Sequence, residues 1–451
     1  MKQRLLLTAG FLLLLSFTLF AGTPADSTSK NTEKIKTGWT FGAVPAITYS
    51  SDLGFQYGAV VNFFYLGDGK TYPNYLHNIY LEWSRYTKGS GINQIRYDSE
   101  HLIPGVRVSG ELSYLTEQAL DFYGFNGYQA NFDQDLSKNV AGDTSYISRM
   151  FYRMDRKMLK TRLEFMGNLS GKKLRWLAGF EFSNMKMGTV DIANLNKGKK
   201  TADMLPDTPL LYDKYVNWGV IPANQKNGGN NMLLKLGVVY DTRDNEPNPM
   251  KGMWTELQFL VAPSFLGNSN YSYVKMVLSH RQYFTLLPNK LSFVYRLSYQ
   301  GKIAGTQPYY MLPFAYNTPP DYTRDGFGGS KTIRGVLRNR VVGDGVAFGN
   351  VELRWKFVRT VLWNQNIYLA LSSFVDGGMV VKKYDFPAPV NITPEEKALF
   401  FPGTPESLHV GYGGGLHLGL NENFVVAVDA ALAAKKEDGN MGFYIGLNWL
   451  F

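Results

Sequence analysis

The sequence predicts an all-β protein, a 16-stranded antiparallel transmembrane β-barrel with an inward-folded lid loop, and three observations carry the barrel. Runs of alternating apolar and polar residues recur along the chain with little helical period between them. The connections between these runs alternate short and long. An apolar N-terminal segment with the marks of a secretory signal precedes them. Composition agrees, because aromatics at 15%, 46 glycines and a mean hydropathy of -0.20 are what a wall gives when every second residue faces water.

Lys2 and Arg4 precede the apolar run 5–20, and small residues follow at Ala21, Gly22 and Ala25. Residues 1–22 therefore read as a signal peptide cleaved somewhere in 21–25, since about 16 apolar residues fall short of the roughly 20 that a spanning helix needs. Residues 23–37, rich in Thr, Ser, Lys and Asp, have no apolar period and read as a polar disordered leader ahead of an outer-membrane barrel at 38–451.

The first strands are 38–50 and 54–66, joined by the tight turn Ser51-Asp52-Leu53-Gly54. Next come 76–87, 92–102, 106–117, 148–169 and 174–187. They are followed by 232–242, 253–262, 271–284, 291–302, 345–358 and 367–374, and the last three are 408–418, 424–432 and 441–451. That makes sixteen, the even number expected of a single-chain bacterial barrel. Short turns at 170–172, 287–289 and 421–423 alternate with long loops at about 118–147, 188–230, 303–343 and 377–407, as outer-membrane barrels require.

Alternation also assigns faces. Leu291, Phe293, Tyr295, Leu297 and Tyr299 share one side of their strand, and Ser292, Arg296, Ser298 and Gln300 the other. Arg296 must face a wet lumen, because a charge at the lipid midplane costs about 2–4 kcal/mol. By the same rule Asn350, Glu352 and Arg354 point inward, while Val351, Leu353, Trp355 and Phe357 face lipid. The last strand is expected to turn Phe443, Ile445, Leu447, Trp449 and Phe451 outward.

Several function classes find no support. The formal charge of +10 is scattered over strand ends and loops and forms no nucleic-acid motif; it suits lipopolysaccharide and anionic headgroups, or simply solvated loops. Without cysteine there are no disulfides and no thiolate metal sites, and the five histidines lack ligand spacing, so no cofactor or metal is expected. Catalytic motifs such as His-Glu-x-x-His, Gly-x-Ser-x-Gly and the phosphate-binding loop are missing, which argues against an enzyme.

Three stretches stand out. Gly328 to Gly335, GGSKTIRG, sets Arg334 among turn-forming glycines in a long polar passage, a loop tip suited to an anionic partner. Phe374 to Gly378, FVDGG, ends a strand with Phe374 and Asp376 on one face. Asp241-Thr242-Arg243-Asp244, followed by prolines at 247 and 249, reads as a rigid turn in which acid and base pair locally.

Together, Ile333-Arg334-Gly335, the Phe374, Asp376 and Gly378 set and the run Gly349-Asn350-Val351-Glu352-Leu353-Arg354 resemble the BamA/TamA superfamily of outer-membrane barrels, the bacterial surface antigen family. The likeness covers about 38–451 and includes the Asp241–Asp244 turn and the Asp121–Gly127 loop, for which no role follows. It implies an integral outer-membrane protein of a Gram-negative-type bacterium, and a lid loop folded into the lumen. There Arg334, beside Gly335, would pair with Asp376, lie against Phe374 and share Glu352. It also implies insertion or translocation of polypeptides through a weakly paired lateral seam between 41–50 and 441–451, flanked by Phe41, Ser50, Phe443 and Phe451. About 17 residues between signal and first strand are too few for the family's periplasmic domains. A barrel-only member is therefore expected, with substrate capture left to a separate periplasmic protein; the alternative is a plugged channel or structural barrel with no translocation role.

Overall fold

The computed structural model describes residues 34–50, 53–139, 144–268, 271–319 and 326–451, and the side chains of 48–50 are left aside. The signal peptide and most of the polar leader lie outside the described residues. Everything else is organised by one antiparallel meander. Its first strand is broken into β1 (Trp39–Pro45) and β2 (Thr48–Ser50), both of which pair with β3 (Gly54–Tyr65). Each later strand pairs with its sequence neighbours, through β4 (His77–Tyr86), β5 (Gly91–Ile103), β6 (Val106–Asp121), β7 (Arg153–Ser170), β8 (Leu174–Gly188) and β9 (Gly228–Asp241). The meander continues through β10 (Gly252–Ala262), β11 (Tyr273–Leu287), β12 (Leu291–Gly305), β13 (Gly345–Leu362), β14 (Gln365–Lys382), β15 (His409–Leu420), β16 (Phe424–Ala433) and β17 (Met441–Leu447). With β1 and β2 counted as one broken strand there are sixteen.

The sheet curls until its ends meet. A side chain at Gly42 on β1 would overlap the ring of Phe424 on β16, and Asn423, before β16, donates to the Pro73 carbonyl in the β3–β4 connection at 2.6 Å. The result is a barrel, with β1 and β17 at the two ends of the sheet. Burial alternates along its staves as the two-residue period requires: on β12, Ser292, Val294, Arg296 and Ser298 are buried and Leu297 is 59% exposed. Short turns on one rim use residues at positive φ, such as Trp363 and Asn364 between β13 and β14 and Asn421 and Glu422 between β15 and β16.

On the opposite rim the long connections fold over the mouth. They contain three short helices, α1 (Ile192–Asn196), α2 (Leu211–Asn217) and α3 (Pro394–Phe400). No helix among the described residues is long and apolar enough to cross a membrane. The largest apolar core sits here, where Phe122, Phe125, Tyr215, Trp218, Tyr309 and Phe400 pack together. The Asp121–Gly127 loop gains its role from this cap. Asn126, at φ +69°, donates to the Tyr384 carbonyl at 3.0 Å and accepts from its N–H at 2.7 Å, tying the β6–β7 connection to the β14–β15 connection.

Two expectations need correcting. Phe374 to Gly378 lies in the middle of β14, which runs on to Lys382, because alternating burial continues past the glycines. The chain end also differs: β17 stops at Leu447, Asn448 takes φ +65°, and the backbone turns inward. Trp449 and Phe451, expected on the lipid face, are each 3% exposed. The Trp449 ring stacks on His417 with centroids 3.9 Å apart, and Phe451 packs against Tyr283 and Val294.

Candidate functional site: a latched loop in the lumen

The β12–β13 connection dives back into the barrel. Its stretch 326–344 is shaped locally by Thr332, whose hydroxyl accepts from Gly328 N–H and donates to the Gly326 carbonyl, each at 2.9 Å. Phe327, Ile333, Val336 and Val341 then pack against Val346, Phe348 and Val380 of the wall. Gly378 leaves the room for this, since a Cβ there would crowd the Ile333 side chain.

At the loop tip Arg334 is 1% exposed and every part of its side chain is engaged. Nε donates to Asp376 Oδ2 at 2.7 Å and Nη2 to Asp376 Oδ1 at 3.1 Å, a two-pronged pair that only a planar guanidinium can make. Nη2 also reaches Glu352 Oε2 at 3.0 Å, and Nη1 reaches Asp429 Oδ2 at 3.3 Å. The guanidinium lies over the Phe374 ring, 3.3 Å from its centroid. Asp376 further accepts the Arg334 backbone N–H at 3.0 Å. Arg334, Gly335, Phe374, Asp376 and Glu352 are thus gathered at one point inside the barrel.

Sequence reasoning missed three participants. Asp429 stands on β16. Tyr444 on β17 accepts the Gly335 N–H with its hydroxyl oxygen at 3.0 Å. Gly411 on β15 faces the Arg334 carbonyl so closely that a Cβ would overlap it. Gly335 itself has φ +92°, so glycine is required at that position. The inward alternation of β15, β16 and β17 was the available signal for these residues, yet nothing in it singles out one inward position over the next.

Of the seam residues, Phe41 and Phe443 are exposed on β1 and β17 at 65% and 58%, Ser50 ends β2, and Phe451 is inside the lumen. On the short-turn rim, Arg243 pairs with both carboxylate oxygens of Asp241 at 3.0 Å and sits 4.3 Å from the Trp254 ring centroid. Asp244 caps the turn by accepting from the N–H groups of Met250 and Lys251 at 3.0 and 3.1 Å. The same turn reaches across the barrel: Glu246 binds Arg107 of β6 with both oxygens at 2.8 Å, while Asn248 donates to Glu422, at the β15–β16 turn, at 2.8 Å. Loop tip and turn therefore narrow the lumen from opposite ends.

A model of the Omp85 superfamily domain matches residues 105–450. The chain belongs to the Omp85 superfamily and is an integral, multi-pass β-barrel of the outer membrane. Among solved structures it is similar to BamA from Haemophilus ducreyi lacking POTRA domains 1-3, at 15% identity over 92% of this chain and 70% of that one, with a TM-score of 0.47. It is also similar to CdiB from Escherichia coli, at 11% identity over 91% of this chain and 61% of that one, TM-score 0.48, so it spans about three-fifths of that protein. CdiB from Acinetobacter baumannii gives 14% identity over 91% and 60%, TM-score 0.44. No curated protein matches the chain.

Proposed function

We propose that this barrel is a component of polypeptide insertion or translocation at the outer membrane, working through the seam between its first and last strands and held at rest by the Arg334 latch. The observation that carries this reading is the inequality of the staves. β13 and β14 are 18 residues each, whereas β17 has seven and the first strand is broken into seven and three. Since each ladder hydrogen bond adds roughly 0.5–1.5 kcal/mol net, the closing pair is the cheapest place for the wall to part. An opened edge would offer unpaired N–H and C=O groups on which a substrate strand can add. The Lys331 ammonium donates to the Leu447 carbonyl at 3.0 Å and Tyr444 accepts from Gly335, so the loop tip touches the stave that must move. Polypeptide substrates, a separate periplasmic protein that delivers them, and contact with lipopolysaccharide belong to this reading.

A plugged channel without translocation is favoured by a different observation, the occlusion of the lumen by the latched loop and by the Glu246 turn. Cysteines at Phe41 and Phe443, joined by oxidation or a short bis-maleimide, separate the two. Locking the seam should abolish insertion of a client barrel into vesicles, and reduction of the disulfide form should restore it. Undiminished insertion with the seam locked rules out the lateral route.

A further inference from the structure

We infer that the lumen holds a small-anion site between β11 and β12, formed by Arg281 and Arg296 and suited to inorganic phosphate. The two arginines stand directly opposite each other in the ladder, both pointing inward, and are 3% and 2% exposed. Like charges directly opposed on a sheet repel, and a buried charge needs a counter-charge. Other buried cations in the barrel have one: Arg107 has Asp98 and Glu246, Arg334 has Asp376, Glu352 and Asp429, Lys235 has Glu164 and Glu181.

Among the described residues neither Arg281 nor Arg296 has a carboxylate at ion-pair distance. Arg296 spends Nε on the Asn350 side-chain oxygen at 2.8 Å and Nη2 on the Lys331 carbonyl at 3.1 Å, both uncharged acceptors. The Arg281 guanidinium lies 5.9 Å from the Trp254 ring centroid, and its Nε is buried with no hydrogen-bond partner among the described residues. Two residues further along β11, the Tyr283 hydroxyl is likewise buried and unpartnered. Glu256, the inward carboxylate on β10, is engaged by Thr318 N–H at 3.0 Å. The apolar wall is supplied by Phe451, 5.0 Å from the Arg296 guanidinium. The Arg281 Nε–H and the Tyr283 hydroxyl, both without an acceptor and beside two like-charged guanidinium groups, are the donor set of an oxyanion site.

The test is thermal unfolding of the purified protein in detergent at constant ionic strength, with sodium gluconate replaced stepwise by sodium phosphate or, separately, by sodium chloride. The wild type should show a saturable rise of a few degrees with phosphate at millimolar concentration, as expected for a ligand bound by the folded state alone. A saturable response to chloride instead would assign the same site to a halide. In gluconate, Arg281→Gln should unfold at or above the wild-type temperature, because it removes an uncompensated charge, and it should lose the anion response. Three results overturn the inference: no response of the wild type to either anion, an equal response in Arg281→Gln, or a variant clearly less stable than wild type in gluconate.

Discussion

At the scale of single residues the latch is a charge balance in a closed space. Arg334 meets three carboxylates while 1% exposed, so removing it leaves Asp376 buried without its cation and Glu352 with Arg354 alone. Arg334→Ala should destabilise the barrel by about 3–5 kcal/mol, measured by urea unfolding in detergent, and Arg334→Lys should recover only part of this because an ammonium cannot make the paired contact with Asp376. The Glu246 turn makes a pH-dependent contribution. Burial alone would raise the Glu246 carboxyl, but Arg107 outweighs it and holds the group at about 2. An unfolded glutamate titrates near ~4.3, so this contribution is complete above that pH and fades as pH falls toward 2. Glu246→Gln should cost roughly 1–3 kcal/mol at pH 7 and progressively less below pH ~4.3; a cost independent of pH would show that the ion pair contributes nothing.

At the scale of elements, much was legible because the strand signal is a two-residue period sustained over sixteen runs. The faces of β12 and β13 followed from the cost of placing Arg296 and Glu352 in lipid, and the pairing of Phe374 with Asp376 from their spacing. What could not be read was where a strand ends when its flanks are themselves extended: β14 continues through Gly377 and Gly378, glycines that suggest a stop but serve to admit Ile333. Nor does periodicity reveal the inward turn after Leu447, which depends on one residue, Asn448, at positive φ. The close approach of β15 to the loop gives a test of the docking itself. Gly411→Val should push out the Arg334 carbonyl and make 326–344 accessible to protease added on the loop side, while the barrel still folds. Protection equal to wild type would mean that the loop does not lie against β15.

On the scale of the whole molecule, the barrel is narrowed at one end by a loop bound through ions and at the other by a turn bound to opposite walls. Its largest apolar core lies in the loops over the mouth, where Phe122, Tyr215 and Trp218 pack together. The wall itself is held by strands of very unequal length, from 18 residues in β13 and β14 to seven in β17. Lys331 and Gly335 of the loop contact Leu447 and Tyr444 of β17. A loop held in the lumen by Arg334 is the central feature of the barrel, and single-channel recording in planar bilayers tests it most directly. Wild type should give small, quiet currents, and both Arg334→Ala and Asp376→Ala should give larger and noisier ones. Conductance and noise at the wild-type level in both variants would contradict it.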